Sequence, residues 1–130
     1  MFELMYPPLN VQGLPAFTAS LISQLAVNLK RLHGLGARRI AVAALEPLGC
    51  LPRSTVLSSF QQCNVTQNTA VNFHNLLLNQ AVSKLNNESR DSAYHVLDLY
   101  TTFTTLLENK GDVSGNLTTS FLLKCSSDEM

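Results

Sequence analysis

The stretch Ile40-Ala-Val-Ala-Ala-Leu-Glu-Pro-Leu-Gly-Cys-Leu-Pro52 decides the fold of this chain. Its first six residues form an uninterrupted apolar run, which is typical of a strand covered on both faces in a parallel sheet. Two prolines and a glycine then end the regular structure. Because ligands of open α/β sheets bind beyond the carboxyl ends of the strands, we expect residues 46–52 on the functional edge.

Helices are predicted on both sides of this strand. Residues 15–33 carry apolar side chains at spacings of three and four, and Gly34 and Gly36 end that helix. Residues 65–85 form a second helix with Asn64 as its N-cap. Its apolar stripe is wide, so we expect it to lie on a sheet. The apolar positions are Phe17, Leu21, Leu25, Leu29 and Leu32 in the first helix, and Ala70, Val71, Phe73, Leu77, Leu78, Ala81, Val82 and Leu85 in the second.

The chain continues with a polar turn over residues 86–92, a second strand over 94–99 and a short third helix that ends at Gly111. The tail, 112–130, is expected to be irregular. A strand–helix–strand unit predicts a right-handed crossover and two parallel strands. Two strands are too few for a stable parallel sheet, so the chain is expected to be about half of a doubly wound α/β domain whose other strands precede residue 1.

Composition excludes several classes of protein. Nine Lys and Arg balance nine Asp and Glu without a basic cluster, so no nucleic-acid partner is expected. Hydrophobic residues make up 45% of the chain, which excludes intrinsic disorder. No apolar run reaches the ~18 residues of a transmembrane span. Residues 1–8 lack the basic and apolar regions of a signal peptide.

Three N-glycosylation sequons favour secretion: Asn64-Val-Thr66, Asn87-Glu-Ser89 and Asn116-Leu-Thr118. Such a surface without a signal peptide suggests that the chain is a piece of a longer protein.

The cysteines are odd in number. In an oxidising compartment Cys50 and Cys63 would close a short loop at the carboxyl end of the strand, which would contribute roughly 3 kcal/mol in the chain-entropy model. Two buried free thiols in a cytosolic protein are the alternative. Cys125 is left without a partner.

No catalytic or metal site is visible in the sequence. Serine hydrolysis needs a Ser beside a His that a carboxylate orients, and no serine lies in a Gly-x-Ser-x-Gly elbow. His33, His74 and His95 are interpreted as structural or surface residues. Asp98 is either catalytic or, as the favoured interpretation, the cap of the third helix. The cysteine spacing suits no zinc site, and no cofactor is expected.

The segment Leu45-Glu-Pro-Leu-Gly-Cys-Leu-Pro52 resembles the plant GDSL-type esterase/lipase family, which belongs to the SGNH hydrolases. It follows Leu35-Gly-Ala-Arg-Arg39 and precedes Cys63-Asn64, both of which fit the family pattern. At Glu46 the family commonly has Pro. The resemblance covers about residues 13–125. Its further matching positions are Asn68, Ala70, Phe73, His74, Asn75, Leu78, Leu85, Asn86 and Asp98-Leu-Tyr100.

This resemblance implies an α/β fold, with residues 1–130 as the middle to C-terminal portion of a three-layer α/β/α, flavodoxin-like SGNH hydrolase domain with parallel strands. It also implies secretion and the hydrolysis of carboxylic esters, often lipids. The expected disulfide joins Cys50 and Cys63. Glu46, Pro47, Leu48 and Gly49 would form a loop on the substrate side.

The family's catalytic groups are a Ser in a Gly-Asp-Ser-Leu box, a Gly and the Asn of Gly-x-Asn-Asp as oxyanion donors, and an Asp-x-x-His pair. None of these motifs occurs in the 130 residues, so no catalytic residue is assigned and the chain alone is expected to be an inactive, incomplete family member. The alternative is a non-catalytic secreted glycoprotein fragment that binds acyl or glycan ligands. Instead of binding such ligands, the fragment could pair with a full-length relative, or with itself, through its exposed sheet edge.

Overall fold

The computed structural model describes residues 13–108. The predicted order of helices and strands is confirmed. Three short helical turns follow the first strand: a 3₁₀ turn over Leu48–Cys50, an α-helical turn over Pro52–Thr55 and a 3₁₀ turn over Val56–Ser58. The elements are α1 (Leu14–Gly34), β1 (Ile40–Ala43), α2 (Pro52–Thr55), α3 (Val65–Ser89), β2 (Tyr94–Leu97) and α4 (Leu99–Glu108). The predicted helix end at Gly111, the tail at 112–130 and with it Asn116 and Cys125 lie outside the described residues.

The two strands pair in parallel, as predicted, with Ile40 opposite Tyr94 and Ala43 opposite Leu97. The ladder extends one residue past β1, where the Ala44 N–H donates to the Leu97 carbonyl at 2.9 Å. Both strands are shorter than predicted. The backbone of Leu45 bonds to a side chain of α3 instead of a strand, and the residue after Leu97 caps α4.

One face of this sheet is covered. Both α1 and α3 pack on it, because side chains from the two helices and the two strands form a single buried cluster. Its members are Ile22, Leu29, Ile40, Ala44, Leu78, Val82, Leu85, Ala93 and Tyr94. On the opposite face Ala41, Ala43, His95 and Leu97 are exposed. The prediction of two covered faces is therefore not met within residues 13–108, whose long helices both lie on one side.

The face of α1 that meets the core differs from the predicted one. Thr18, Ile22 and Leu29 are its buried residues. Of the predicted stripe, Phe17 is 64% exposed and two further members, Leu21 and Leu32, are also exposed. Two members of the predicted stripe do face the core, since Leu29 is buried and Leu25 packs partly buried against the cluster. The apolar residues of α1 cover more of its circumference than one packing surface uses, so the spacing alone did not identify Thr18 and Ile22 as buried.

The crossover helix α3 begins where the sequence predicts. The Asn64 side-chain oxygen accepts the Gln67 N–H at 3.0 Å and caps the first turn. The predicted end at residue 85 is wrong, since the helix continues to Ser89. It ends at Arg90, a left-handed residue with φ 60° whose N–H donates to the Asn86 carbonyl. The polar residues 86–89 resemble a turn in sequence, but they are helical.

Polar contacts join the end of α1 to the connection between α3 and β2. His33 Nε2 lies 2.8 Å from Asp91 Oδ2, and the His33 ring lies against Tyr94 with 5.6 Å between centroids. One turn earlier, Lys30 pairs with Glu88 at 2.6 Å. A hydrogen bond with the Ser89 side chain, followed by the bond and charge interaction with His33, holds the pKa of Asp91 below its ordinary value.

The Asp91 carboxylate is expected to make folding pH-dependent in the acidic range. Because its pKa is depressed by folding, its contribution to stability is present above the ordinary pKa and is lost as the pH falls through the folded-state pKa. In Asp91→Asn the free energy of unfolding should therefore decline less on acidification than in the unsubstituted chain. Urea titrations followed by circular dichroism at several acidic pH values measure this. Equal declines in both proteins would contradict the assignment.

Candidate functional site

The carboxyl ends of β1 and β2 lie at the same edge of the sheet, because the strands are parallel. Residues 44–50 leave β1 at this edge, and residues 98–100 leave β2 beside them. Ligands of open α/β sheets bind outside this edge. We therefore take these two segments as the candidate functional site.

The loop that follows β1 is compact. Pro47 and Gly49 are buried, and Glu46 and Leu48 are half-buried. A 3₁₀ turn over Leu48–Cys50 closes it, with the Cys50 N–H donating to the Pro47 carbonyl at 2.8 Å. The predicted loop residues therefore occupy a defined position at the carboxyl edge.

Two asparagines of α3 bind this loop. Asn75 accepts the Leu45 N–H at 2.9 Å and donates to the Leu45 carbonyl at 2.9 Å. Asn68 accepts the Gly49 N–H at 2.8 Å. From the sequence, these asparagines were matches to the family pattern and had no predicted structural role. An amide at a core-facing helical position needs hydrogen-bond partners. An Asn within an apolar stripe was therefore the signal from which this role could have been predicted.

A disulfide between Cys50 and Cys63 ties the loop to the start of α3, with the two Cα atoms 4.3 Å apart. Beside it, the Asn64 N–H donates to the Gly49 carbonyl at 2.7 Å. Between the cysteines the chain forms α2 and a second 3₁₀ turn, from which Leu57 projects 98% exposed. The loop after β1 is thus covalently fixed to the crossover helix at its far end.

A cavity of about 240 Å³ opens at this edge, between α3 and the residues that follow β2. Its lining consists of Ala44, Asn72, Asn75, Asn79, Val96, Asp98 and Tyr100. Asp98 Oδ1 accepts the Thr101 N–H at 3.0 Å, which confirms the capping interpretation of this residue. Three amides, a phenol and the Asp98 carboxylate thus bring hydrogen-bond donors and acceptors together in this cavity. A larger and shallower hollow, of about 560 Å³, lies on α3 near Glu88.

None of the three histidines is hydrogen-bonded to a serine within the described residues. His33 pairs with Asp91 beside Tyr94, the first residue of β2, and so lies at the amino-terminal edge of the sheet. His95 is exposed on the uncovered face. Burial on α3 lowers the pKa of His74, which favours its neutral form. Residues 13–108 contain no group of three or more His, Cys, Asp or Glu suited to a metal ion.

Two sequon asparagines can be placed. Asn64 is exposed at the start of α3, and Asn87 is exposed near its end. The Asn64 carboxamide uses its oxygen for the cap.

No helix between residues 13 and 108 has both the length and the apolar character to span a membrane.

Known proteins are similar to this chain over most of its length. A family model described as GDSL-like lipase/acylhydrolase matches residues 8–121. GDSL esterase/lipase At5g03610 from Arabidopsis thaliana is 53% identical over 102 residues, which are 78% of this chain and 28% of that protein. GDSL esterase/lipase At3g09930 from the same plant is 48% identical over 102 residues, 78% of this chain and 29% of that protein. No solved structure matches the chain.

The chain thus spans less than a third of the length of these two relatives. The family model nevertheless covers both strands, the loop after β1, the disulfide and the crossover helix. These features are the ones from which the candidate site is built. On this match the chain belongs to the GDSL-like lipase/acylhydrolase family.

Proposed function

We propose that this chain is part of a carboxylic-ester hydrolase and that residues 44–50 and 98–100 form one wall of its ester site. The observation that carries the proposal is the family match over residues 8–121, which includes both strands and both of these segments. The relatives are named as esterase/lipase proteins, and this supports an ester or lipid substrate. The position of both segments at the carboxyl edge of a parallel sheet agrees with such a role.

In this proposal the described residues position the substrate and do not carry out the bond chemistry. Ester hydrolysis needs a nucleophile, a base that removes its proton and donors for the oxyanion. The 130 residues contain none of the motifs that supply these groups in the family that the sequence resembles. The proposal therefore assigns the nucleophile, the oxyanion donors and the Asp–His pair to parts of the domain outside this sequence.

Self-association is a second candidate function, and the uncovered sheet face favours it. Ala41, Ala43 and Leu97 expose apolar surface there, and β1 and β2 each have one open edge among the described residues. Open edges promote pairing with another chain. If this candidate is correct, the isolated chain should be dimeric or larger by light scattering, and charged substitutions on this face, such as Ala43→Lys, should return it to a monomer.

The ester-site proposal predicts that these residues function inside a complete relative. We would replace the matching segment of GDSL esterase/lipase At5g03610 with the corresponding residues of this chain. Because the two are 53% identical over 102 residues, the core and the loop should be accommodated. The chimera should hydrolyse p-nitrophenyl butyrate, and the isolated 130-residue chain should not exceed a heat-denatured control.

The parent Arabidopsis protein, prepared in the same way, is the positive control. A folded chimera that is inactive while the parent is active would contradict the proposal. Saturable turnover by the isolated chain, lost when one Ser and one His are substituted, would reveal an active site within the 130 residues.

The mature protein is predicted to contain the Cys50–Cys63 disulfide and to leave Cys125 unbonded to either residue. Trypsin cleaves after Arg53 and Lys124 and so places the three cysteines on three separate peptides. Mass spectrometry of a non-reduced digest should show the first two peptides joined. Dithiothreitol should separate them. A linked peptide that contains Cys125 would refute the assignment.

N-glycosylation at Asn64 is predicted when the chain passes through a secretory pathway. The glycan attaches to the side-chain nitrogen, whereas the helix cap uses the side-chain oxygen, so both can coexist at this exposed residue. Thr66→Ala should remove one glycan from chain expressed behind a signal peptide in yeast, and Thr66→Ser should retain it. Endoglycosidase treatment and gel mobility measure this. Identical mobility of the two variants would contradict modification at this site.

A further inference from the structure

Three asparagines lie along one face of α3. Asn68 and Asn75 are seven residues apart, and Asn86 follows eleven residues later. The eighteen residues between the first and the last correspond to about five turns of an α-helix, so all three side chains leave the helix in nearly the same direction. Each binds the backbone of a different segment: the end of the loop after β1, the start of that loop, and the first residue of β2.

Asn75 binds at the point where the chain leaves the sheet. Ala44, one residue past β1, is the last residue of this segment whose N–H reaches β2. The next residue is Leu45. Its N–H donates to the Asn75 side-chain oxygen and its carbonyl accepts from the Asn75 side-chain nitrogen, at 2.9 Å each. Asn75 is 9% exposed, so water cannot readily replace these bonds. The uncharged carboxamide of Asn75 offers a donor and an acceptor side by side in one planar group.

Asn68 binds the other end of the same loop. Its oxygen accepts the Gly49 N–H at 2.8 Å, and its nitrogen lies 3.3 Å from Cys50 Sγ. A Cβ atom at Gly49 would collide with the Asn64 backbone carbonyl oxygen and would lie 2.7 Å from the Asn68 side-chain oxygen, so this close approach requires glycine. Loop residues 46–48 thus lie between two residues that α3 holds by hydrogen bonds, Leu45 at Asn75 and Gly49 at Asn68. These two asparagines are about 10 Å apart along the helix axis.

We propose that Asn75 is a positioning residue for ester hydrolysis: by holding Leu45 it fixes the height and direction of loop 46–49 where that loop meets the substrate. This inference rests on the proposed function. It assigns to Asn75 an effect on the reaction that is separable from its effect on stability. The two effects can be separated through the hydrogen-bond donor, because among the described residues the Asn75 nitrogen is the group that donates to the Leu45 carbonyl.

Asn75→Asp tests the donor directly. An ionised carboxylate keeps the acceptor for the Leu45 N–H but places a negative oxygen against the Leu45 carbonyl. A protonated carboxyl restores one donor and one acceptor in almost the same shape. The activity of this variant should therefore recover as the pH falls through the pKa of the new carboxyl, which burial raises. A residue that only stabilises the fold would lose activity in step with the folded fraction, so circular dichroism at each pH should show that the ionised variant stays folded while its activity is low.

The kinetic measurement uses the chimera described above, with p-nitrophenyl butyrate as substrate and each variant normalised to the unsubstituted chimera at the same pH. In Asn75→Asp, kcat/KM should fall by roughly tenfold to a hundredfold in neutral and alkaline solution and should recover in acid. Asn87→Asp is the matched control, since Asn87 is an exposed asparagine on the same helix. The normalised kcat/KM of this control should not change with pH.

A second measurement does not depend on activity. In the 130-residue chain, Asn75→Ala should accelerate amide hydrogen exchange at Leu45 and leave Ala44 protected by its bond to Leu97. Asn87→Ala should change neither. An unchanged Leu45 exchange rate, or a pH-independent loss of kcat/KM in Asn75→Asp, would overturn the positioning role. If the unsubstituted chimera is inactive, the proposed function fails, and the exchange result alone decides whether Asn75 holds the loop.

Discussion

Parallel pairing of β1 with β2 constrains the rest of the structure. Two parallel strands cannot be joined by a tight turn, so the chain must return from the end of one strand to the start of the next through a long crossover. The crossover helix α3 has 25 residues and is about 37 Å long, whereas each strand has four residues and spans about 13 Å. The helix must therefore extend past the sheet. Asn86 lies at the amino end of β2 and Asn75 at the carboxyl end of β1, so residues 65–74 are the part that overhangs.

This overhang gives the loop after β1 a surface to bind. Beyond the end of a strand a backbone has no neighbouring strand to satisfy its polar groups, and a buried N–H or carbonyl without a partner is costly. The first half of α3 supplies those partners through Asn75, Asn68 and the backbone of Asn64. The disulfide at Cys50 then adds a covalent connection at the same place. Within the described residues no buried side-chain polar atom lacks a hydrogen-bond partner.

The exposed apolar surface agrees with the proposal that these residues are one part of a larger domain. The matched stretch of 102 residues is less than a third of either relative. A three-layer α/β/α domain has helices on both faces of its sheet. Here only one face is covered, while Ala43 and Leu97 on the other face, and Phe17 on α1, remain exposed. In a complete doubly wound domain such side chains would be covered by further helices and strands. The same reasoning favours substrate positioning as the role of these residues, because the chemistry of ester hydrolysis requires groups that they do not contain.

The sequence by itself determined the order of helices and strands, the parallel pairing, the N-cap at Asn64 and the capping role of Asp98. These features depend on local signals: apolar periodicity, turn residues and polar side chains at helix starts. The family could also be recognised, because its motif is a continuous stretch of chain. Only the tertiary structure decided which side of α1 is buried, because its apolar residues surround more of the helix than one contact covers. It also decided that α3 continues past Leu85 and that Asn68 and Asn75 hold the loop after β1. Those asparagines bind backbone groups that lie 19 and 30 residues away in sequence, and no local pattern specifies such a partner.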